Sequence, residues 1–354
     1  MENGMPYSDN DLDAAARAGV ITSQQAEALR LFFAQRPADP MRIAPRFDLV
    51  HMLWYAGALI VMSAMGLFST LAFAAMGGVG LTATALVYAV LFGVAGHYLW
   101  HTKKLYTPGG LLIAIAVAMA PLAVYGVQEA LGLWTDFGKP GTVRDFYIWI
   151  KGSFVFMELA TIAAALLALW LYRFPFIVFV LAVALWFLSM DIVPWITGAP
   201  HGNWEMSRKV SVWFGLGVIV TAIVVHGRQQ RGDFAYWLYL FGVMTFWGGI
   251  TAVSDGTALD KALYCALNVG FLLVALLLDR VVFAVFGAMG IAIYLGDLAD
   301  KLFRDSILFP FALSAIGVLI IGLGLLFHRH QAALSAWLDA RLPAPVQRLR
   351  RAPR

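Results

Sequence analysis

The chain has 354 residues, 61% of them hydrophobic and only 13% charged, with a mean hydropathy of +0.77. That excludes an ordinary soluble domain, in which about a quarter of the residues are charged, and leaves little chain for soluble modules between the apolar runs. The formal net charge of +4 is concentrated at the ends and in turns, where in such a chain it bears on membrane topology before partners.

Residues 1–48 read as a small cytoplasmic helical segment. Asp11 to Ala18 can form one helix, and Gly19 suits its C-terminal cap. Thr22-Ser23-Gln24-Gln25 fits a capping box for a second helix. In that helix Ala26, Leu29, Phe32 and Phe33 recur at helical spacing until Pro37 ends the run. Two short helices around a glycine turn suggest a DNA-binding motif, but the charges oppose it. Six acids stand against five arginines in residues 1–47, with no basic face for a nucleic acid. The segment therefore reads as one that packs on the membrane domain. The polar, acidic start (Ser8 to Asp13) predicts no cleavable signal peptide, so the first span would be its own insertion signal.

From Leu49 onward ten apolar runs have the length to span a bilayer, which takes about twenty helical residues. They are 49–75, 80–100, 108–131, 153–172, 174–197, 210–226, 234–254, 259–278, 281–297 and 306–327. The sixth and ninth are short, so a count of eight or nine remains open. The expected fold is an all-α polytopic bundle of about ten spans over residues 49–328. With the N-terminus inside, 17 basic residues fall on the cytoplasmic side and 8 on the other, which predicts that both termini are cytoplasmic. Turns after runs two, four, six and eight are short, so the unit resembles an inside-turn hairpin used four times. The one cysteine, Cys265, lies inside an apolar run and excludes an internal disulfide.

Small residues four apart mark where helices can approach closely: Ala85, Ala89 and Gly93; Ala160, Ala164 and Ala168; Ala284, Ala288, Ala292 and Gly296. The outer loop Thr135 to Lys151 carries an aromatic patch, Phe146 to Ile150, at the expected headgroup level, as do Trp134, Trp195 and Trp204. Residues 329–354 form a basic amphipathic tail. Its Leu334, Trp337 and Leu338 share one helical side, and its arginines predict binding to anionic lipid headgroups, each near-surface charge contributing about 1 kcal/mol.

Several stretches carry a resemblance. They are Gly19-Val20-Ile21-Thr22-Ser23-Gln24-Gln25-Ala26, Phe47-Asp48-Leu49-Val50-His51 and Pro108-Gly109-Gly110-Leu111-Leu112, then Pro121-Leu122-Ala123-Val124-Tyr125-Gly126, Asp233-Phe234-Ala235-Tyr236-Trp237-Leu238-Tyr239 and Asp305-Ser306-Ile307-Leu308-Phe309-Pro310-Phe311. Together they resemble an uncharacterised group of bacterial multi-pass membrane proteins, with a short helical start and eight to ten spans. The resemblance covers most of the chain. It implies a bacterial inner-membrane protein and no particular activity.

The polar residues within the runs are the candidate site. Glu158 and Asp191 lie on the two arms of the hairpin Ser153 to Trp195, roughly 22 and 27 Å from its Arg173-Phe174-Pro175 turn at 1.5 Å per helical residue. Both therefore fall in the half of the membrane opposite the turn, where a carboxylate is costly and functional by default. Glu129, Asp297 and the amide Asn268 also fall toward the outer half or outer ends of their helices. One reading is an outward-facing polar cavity in which a carboxylate takes up and releases a proton or binds a cation. The other makes Glu129 and Asp297 ordinary headgroup-level residues and Glu158 a brace between helices. Pro121 should kink the third run, a feature of transporter gates and of static membrane helices alike.

Six of the seven histidines lie at cytoplasmic ends of runs. His97 and His101, four apart on one helical face, are the weak metal candidates, with no carboxylate or cysteine beside them in that helix. Leu295-Gly296-Asp297 lacks the first glycine of the intramembrane aspartyl protease pattern. No nucleophile elbow, Walker loop or zinc-protease helix occurs, and no cofactor is expected. Two function classes follow. One is a secondary transporter or channel-like protein using the outer-half acids. The other is a non-transporting sensor, scaffold or assembly partner that interacts through the N-terminal helices and the tail; a protein partner or a second copy is not readable.

Overall fold

The computed structural model describes residues 9–35, 49–133, 154–197, 204–228, 233–251 and 258–303, with isolated positions between 311 and 322. The tenth run, the aromatic patch Phe146 to Ile150 and the tail 329–354 lie outside the described residues, isolated positions of that run excepted. Every regular element described is helical: α1 (Asp9–Arg17), α2 (Ser23–Gln35), α3 (Leu49–His101), α4 (Tyr106–Ala118), α5 (Ala120–Leu131), α6 (Val155–Tyr172), α7 (Phe176–Thr197), α8 (Trp204–Arg228), α9 (Phe234–Thr251), α10 (Ala258–Leu278) and α11 (Val281–Phe303). Among the described residues six stretches are long and apolar enough to cross a membrane, and Leu49–Met65 and Phe176–Ile192 are shorter apolar helices. This is the helix content of a multi-pass membrane protein.

The short N-terminal helices form as their local chemistry dictates. Gly19 ends α1 at φ +69°, and the Val20 amide reaches back to the Ala15 carbonyl at 3.0 Å. The Gln25 amide donates to Thr22 Oγ1 at 3.1 Å while the Thr22 amide donates to Gln25 Oε1 at 2.8 Å, which closes the capping box. Ala26 is buried in the hairpin, and Arg30 pairs with both Glu27 and Asp13. Hydrogen bonds that Arg30 donates to Glu27 and Asp13 hold its guanidinium further toward its charged form.

The first two expected spans, 49–75 and 80–100, lie on either side of a break within α3. α3 runs for 53 residues, and drawn straight it would extend about 80 Å. Yet the Tyr55 ring near its start lies 5.7 Å from Phe176, and the Trp100 ring near its end lies 6.2 Å from Phe174. Both ends of α3 therefore meet the same turn, and the chain doubles back between them. Gly77, at φ 65° and ψ 178°, is the non-helical residue where this happens. A reversal on one glycine leaves no polar loop, so only a gap in hydrophobicity marks it in the sequence. Pro121 breaks the third span as expected. α4 stops at Ala118, Met119 bridges, and the proline occupies the first turn of α5, where its missing N–H costs nothing.

The most extensive packing joins hairpin partners: α3 with α4 and α5, α6 with α7, α8 with α9, and α10 with α11. Three of the turns place a non-glycine residue in the left-handed region: Lys104, Arg173 and Asp279. The Arg173 amide caps α6 on the Leu169 carbonyl at 3.0 Å, and the Arg280 amide caps α10 on the Ala275 carbonyl at 3.1 Å. After Arg173, Phe174 is fully buried and fills the space over Gly110, where a Cβ would come within 2.4 Å of its ring.

Of the predicted stripes, Ala85 and Ala168 are buried in the packed cores, and backbone-to-backbone approach also falls at glycines outside them. A Cβ at Gly215 would lie 2.8 Å from the Gly242 carbonyl oxygen and 2.4 Å from the Phe246 amide nitrogen, so α8 and α9 meet backbone to backbone. Gly93 and Gly296, by contrast, have nothing within 4 Å. Four-residue spacing identifies a helical face but not the neighbour it turns toward. α7 and α9 are central: α7 packs on α4, α6, α8 and α9, and α9 also contacts α11. The outward faces stay apolar, as Leu86, Val90 and Val94 of α3 and Leu166, Leu167 and Trp170 of α6 show. Water would not tolerate such surfaces, whereas lipid does.

Candidate functional site: a buried carboxyl pair

The hairpin contacts divide the bundle into a turn end, where Tyr55, Trp100, Phe174 and Phe176 meet, and an opposite far end. Glu158 sits in the first turn of α6 and Asp191 near the close of α7, both toward the far end. α6 and α7 are joined by the tight Arg173 turn and pack along each other, so the two acids reach comparable depth on neighbouring helices. Glu158 is 8% exposed and Asp191 2%. Glu158 Oε2 and Asp191 Oδ2 are buried with no hydrogen-bond partner, and the carboxyls lie within electrostatic reach of each other.

Neither acid belongs to an ion pair among the described residues. Ionised carboxylates only accept hydrogen bonds, so two of them cannot satisfy one another. Several neighbouring hydroxyls and an indole are already committed. Thr161 Oγ1 donates to the Met157 carbonyl at 2.7 Å, Ser189 Oγ donates to the Trp186 carbonyl at 2.6 Å, and Trp186 Nε1 donates to Ser211 Oγ at 3.2 Å. Leaving one bare charge at such depth costs about 3 kcal/mol. A proton, a cation or water must offset that.

The other sequence candidates are placed elsewhere. Asn268 is wholly buried on α10, and its amide is used: Trp247 Nε1 donates to its Oδ1 at 3.1 Å, and its Nδ2 donates to the Tyr264 carbonyl at 2.8 Å. It also fills the space over Gly290 of α11, so it joins three helices. Asp297 accepts from Lys261 Nζ at 2.7 Å in a half-exposed bridge between α11 and α10. Glu129 is half-buried near the end of α5. His97 and His101 stack with ring centroids 4.2 Å apart at the turn end, and His97 Nδ1 lies 3.1 Å from the Tyr172 hydroxyl. No group of three potential metal-ligating side chains occurs among the described residues.

Sequence reasoning misses two features. Gln128, on α5 near the far end, is 3% exposed, and a neutral amide three residues from a helix end gives no signal of burial. The larger omission is a buried network at the turn end. Arg280, just before α11, pairs through Nη1 with Asp233 and through Nη2 lies 2.9 Å from His226 Nε2. His226 Nδ1 lies 3.3 Å from the Tyr239 hydroxyl, and the Arg280 guanidinium stands 5.8 Å from the centre of the Tyr239 ring. Because guanidinium only donates, His226 Nε2 accepts and its proton sits on Nδ1. Asp233 also caps α9, accepting from the Tyr236 amide at 3.0 Å. Asp233 and Arg280 are 47 residues apart. Each reads singly as an ordinary turn charge, so the signal is present but unpaired.

An open depression of about 470 Å³ on α3, lined by Val90, Leu91, Val94, Ala95 and Tyr98, includes none of these polar residues. Compared with protein-family models, curated proteins and solved structures, the chain has no significant match.

Proposed function

We propose that the chain is a ten-span protein of a bacterial inner membrane, with both termini cytoplasmic, and that it acts as a secondary transporter or channel-like protein. Its site is the Glu158–Asp191 pair in the outer half of the membrane. The observation that carries this reading is the pair itself: two carboxyls sealed in the bundle, with orphaned oxygens and no cation opposite them among the described residues. A purely structural pair would be expected to carry its own counter-charge, as Asp233 does. Orientation follows from the 17-to-8 basic bias, and the tight hairpin turns gathered at one end fit it. Residues 1–48 and the tail 329–354 then face the cytoplasm, the tail against anionic headgroups. Glu129, half-buried near the far end of α5, adds negative charge on the outer side and favours a cationic species.

Cysteine accessibility tests this. In a Cys265→Ser background, Glu158→Cys or Asp191→Cys should react with a membrane-impermeant thiol reagent added from outside. A second reading, a sensor or assembly scaffold, is favoured by the tight burial of both acids in this conformation. Cysteines that stay inert at both positions in correctly folded protein would select it.

A further inference from the structure

We propose that His97 and His101, oriented by Tyr172, bind a divalent late first-row transition metal ion at the turn end of the bundle. The two histidines lie four residues apart in the last turns of α3, so their side chains stand one above the other on one face. Their ring centres are 4.2 Å apart and the rings are inclined by 32°. Two nitrogens bound to one ion at about 2.0–2.1 Å stand roughly 3 Å from each other. Rings so placed reach that spacing by small rotations. Both side chains are exposed, and Thr102, Lys103 and Lys104 follow directly, which sets the pair at the membrane surface within reach of an ion.

Tyr172, the last residue of α6, is the independent observation. Its hydroxyl lies 3.1 Å from His97 Nδ1, and its ring meets both imidazoles edge-on, with centres 6.2 and 6.0 Å away. A neutral imidazole carries one N–H and one lone pair. With Nδ1–H donating to the Tyr172 oxygen, His97 Nε2 keeps its lone pair for a metal. Metal-bound histidines are held in this way, by a partner on the nitrogen that does not coordinate. α6 thus orients a ligand that α3 carries.

The donor atoms set the class of ion. Imidazole nitrogen suits Zn²⁺, Cu²⁺ and Ni²⁺, whereas Mg²⁺ and Ca²⁺ take oxygen ligands. No third His, Cys, Asp or Glu joins the pair among the described residues, so water fills the remaining positions and the ion is exchangeable. The surrounding charges pull both ways. A cation at the C-terminal end of α3 is favoured by the helix dipole, while Lys103, Lys104 and Arg173 in the adjoining turns oppose it. Lys103 is drawn aside, its ammonium 5.8 Å from the centre of the Tyr98 ring. In the orientation proposed above, the site faces the cytoplasm.

Copper titration of the full-length protein in detergent, purified without a histidine tag, tests the site. Wild type should bind one more Cu²⁺ than His97→Ala/His101→Ala, and the electron paramagnetic resonance spectrum of that ion should show coupling to two nitrogens. Excess Zn²⁺ should displace it, and Mg²⁺ or Ca²⁺ should not. Either single alanine variant should weaken binding by more than about tenfold. Tyr172→Phe keeps both ligands and removes only the orienting hydroxyl, so the two-nitrogen spectrum should persist at an affinity about tenfold lower. His328→Ala/His330→Ala, in the tail, should bind as wild type. Both imidazoles are exposed, so the metal-free thermal midpoint should be the same in wild type and His97→Ala/His101→Ala, which separates a lost site from a lost fold. Equal copper binding by wild type and that folded double variant would overturn the proposal, as would loss of the ion from the tail variant. An affinity that Tyr172→Phe leaves unchanged would overturn the orienting role.

Discussion

Two acid clusters lie toward opposite ends of one bundle, equally withdrawn from solvent and oppositely finished. At the turn end Asp233 and Arg280, 3% and 5% exposed, neutralise each other, and His226 and Tyr239 take up further hydrogen-bonding capacity. At the far end Glu158 and Asp191, 8% and 2% exposed on neighbouring helices, have orphaned oxygens and no ion-pair partner among the described residues. Burial alone therefore does not separate a brace from a site. Neutralisation does: the first cluster is charge-paired within the chain, although Arg280 Nε makes no hydrogen bond, and on the reading proposed the second is completed by something that enters and leaves.

The sharpest way to break this contrast is to empty the closed cluster. Arg280→Met strands a buried Asp233 and should lower stability by roughly 3–5 kcal/mol, read as a fall in thermal midpoint and in monodisperse yield in detergent. Adding Asp233→Asn should recover much of that loss, since no uncompensated charge then remains. A single variant as stable as wild type would mean the network holds nothing together.

A smaller effect tests the frame that holds the network. Gly215→Ala or Gly242→Ala drives a Cβ into the facing backbone of the α8–α9 hairpin, which carries His226, Asp233 and Tyr239. Overpacking of this kind costs about 1–3 kcal/mol. Gly93→Ala, with nothing within 4 Å, should be silent in the same assay.

Asn268→Leu sharpens the contrast from the other side, by removing a polar group whose hydrogen bonds are already made. Loss of the Trp247 and Tyr264 contacts should cost about 1 kcal/mol, within the measured range for hydrogen bonds between membrane helices. Leucine must also find room over Gly290, where the amide now sits. Thiol reactivity at Asp191→Cys should not change. If it did, Asn268 would belong to the site.

The smallest expected effect is at the turns. Arg173→Gly relieves a left-handed conformation that costs an ordinary residue about 1–2 kcal/mol, partly offset by the greater freedom of glycine in the unfolded chain. A thermal midpoint unchanged or slightly raised is predicted, and a large fall would mean the Arg173 side chain has a role of its own.

Elements set by local chemistry are legible in the amino-acid sequence alone. Thr22 and Gln25 form the capping box that their spacing specifies, Gly19 closes α1, and Pro121 breaks the third span. Each depends on residues within a turn or two of one another. Glu158 and Asp191 are legible as suspects because an acid in an apolar run is costly wherever it points. Asn268 looks the same in sequence, since an amide in an apolar run reads alike whether its bonds are made or open. Asp233 and Arg280 are illegible because turn charges are expected at a membrane surface, and their pairing depends on how the third and fourth hairpins dock. The reversal at Gly77 uses no polar residue and is legible only as the short glycine-rich interval between the runs 49–75 and 80–100.

The most direct measurement is the thermal stability of the full-length Glu158→Gln/Asp191→Asn protein beside Arg280→Met. Two neutral amides remove two buried acids that have no ion-pair partner among the described residues, so the double variant should match or exceed wild type within about 0.5 kcal/mol. A loss of stability as large as that of Arg280→Met would show that the two acids brace the bundle, and would contradict the assignment of a site.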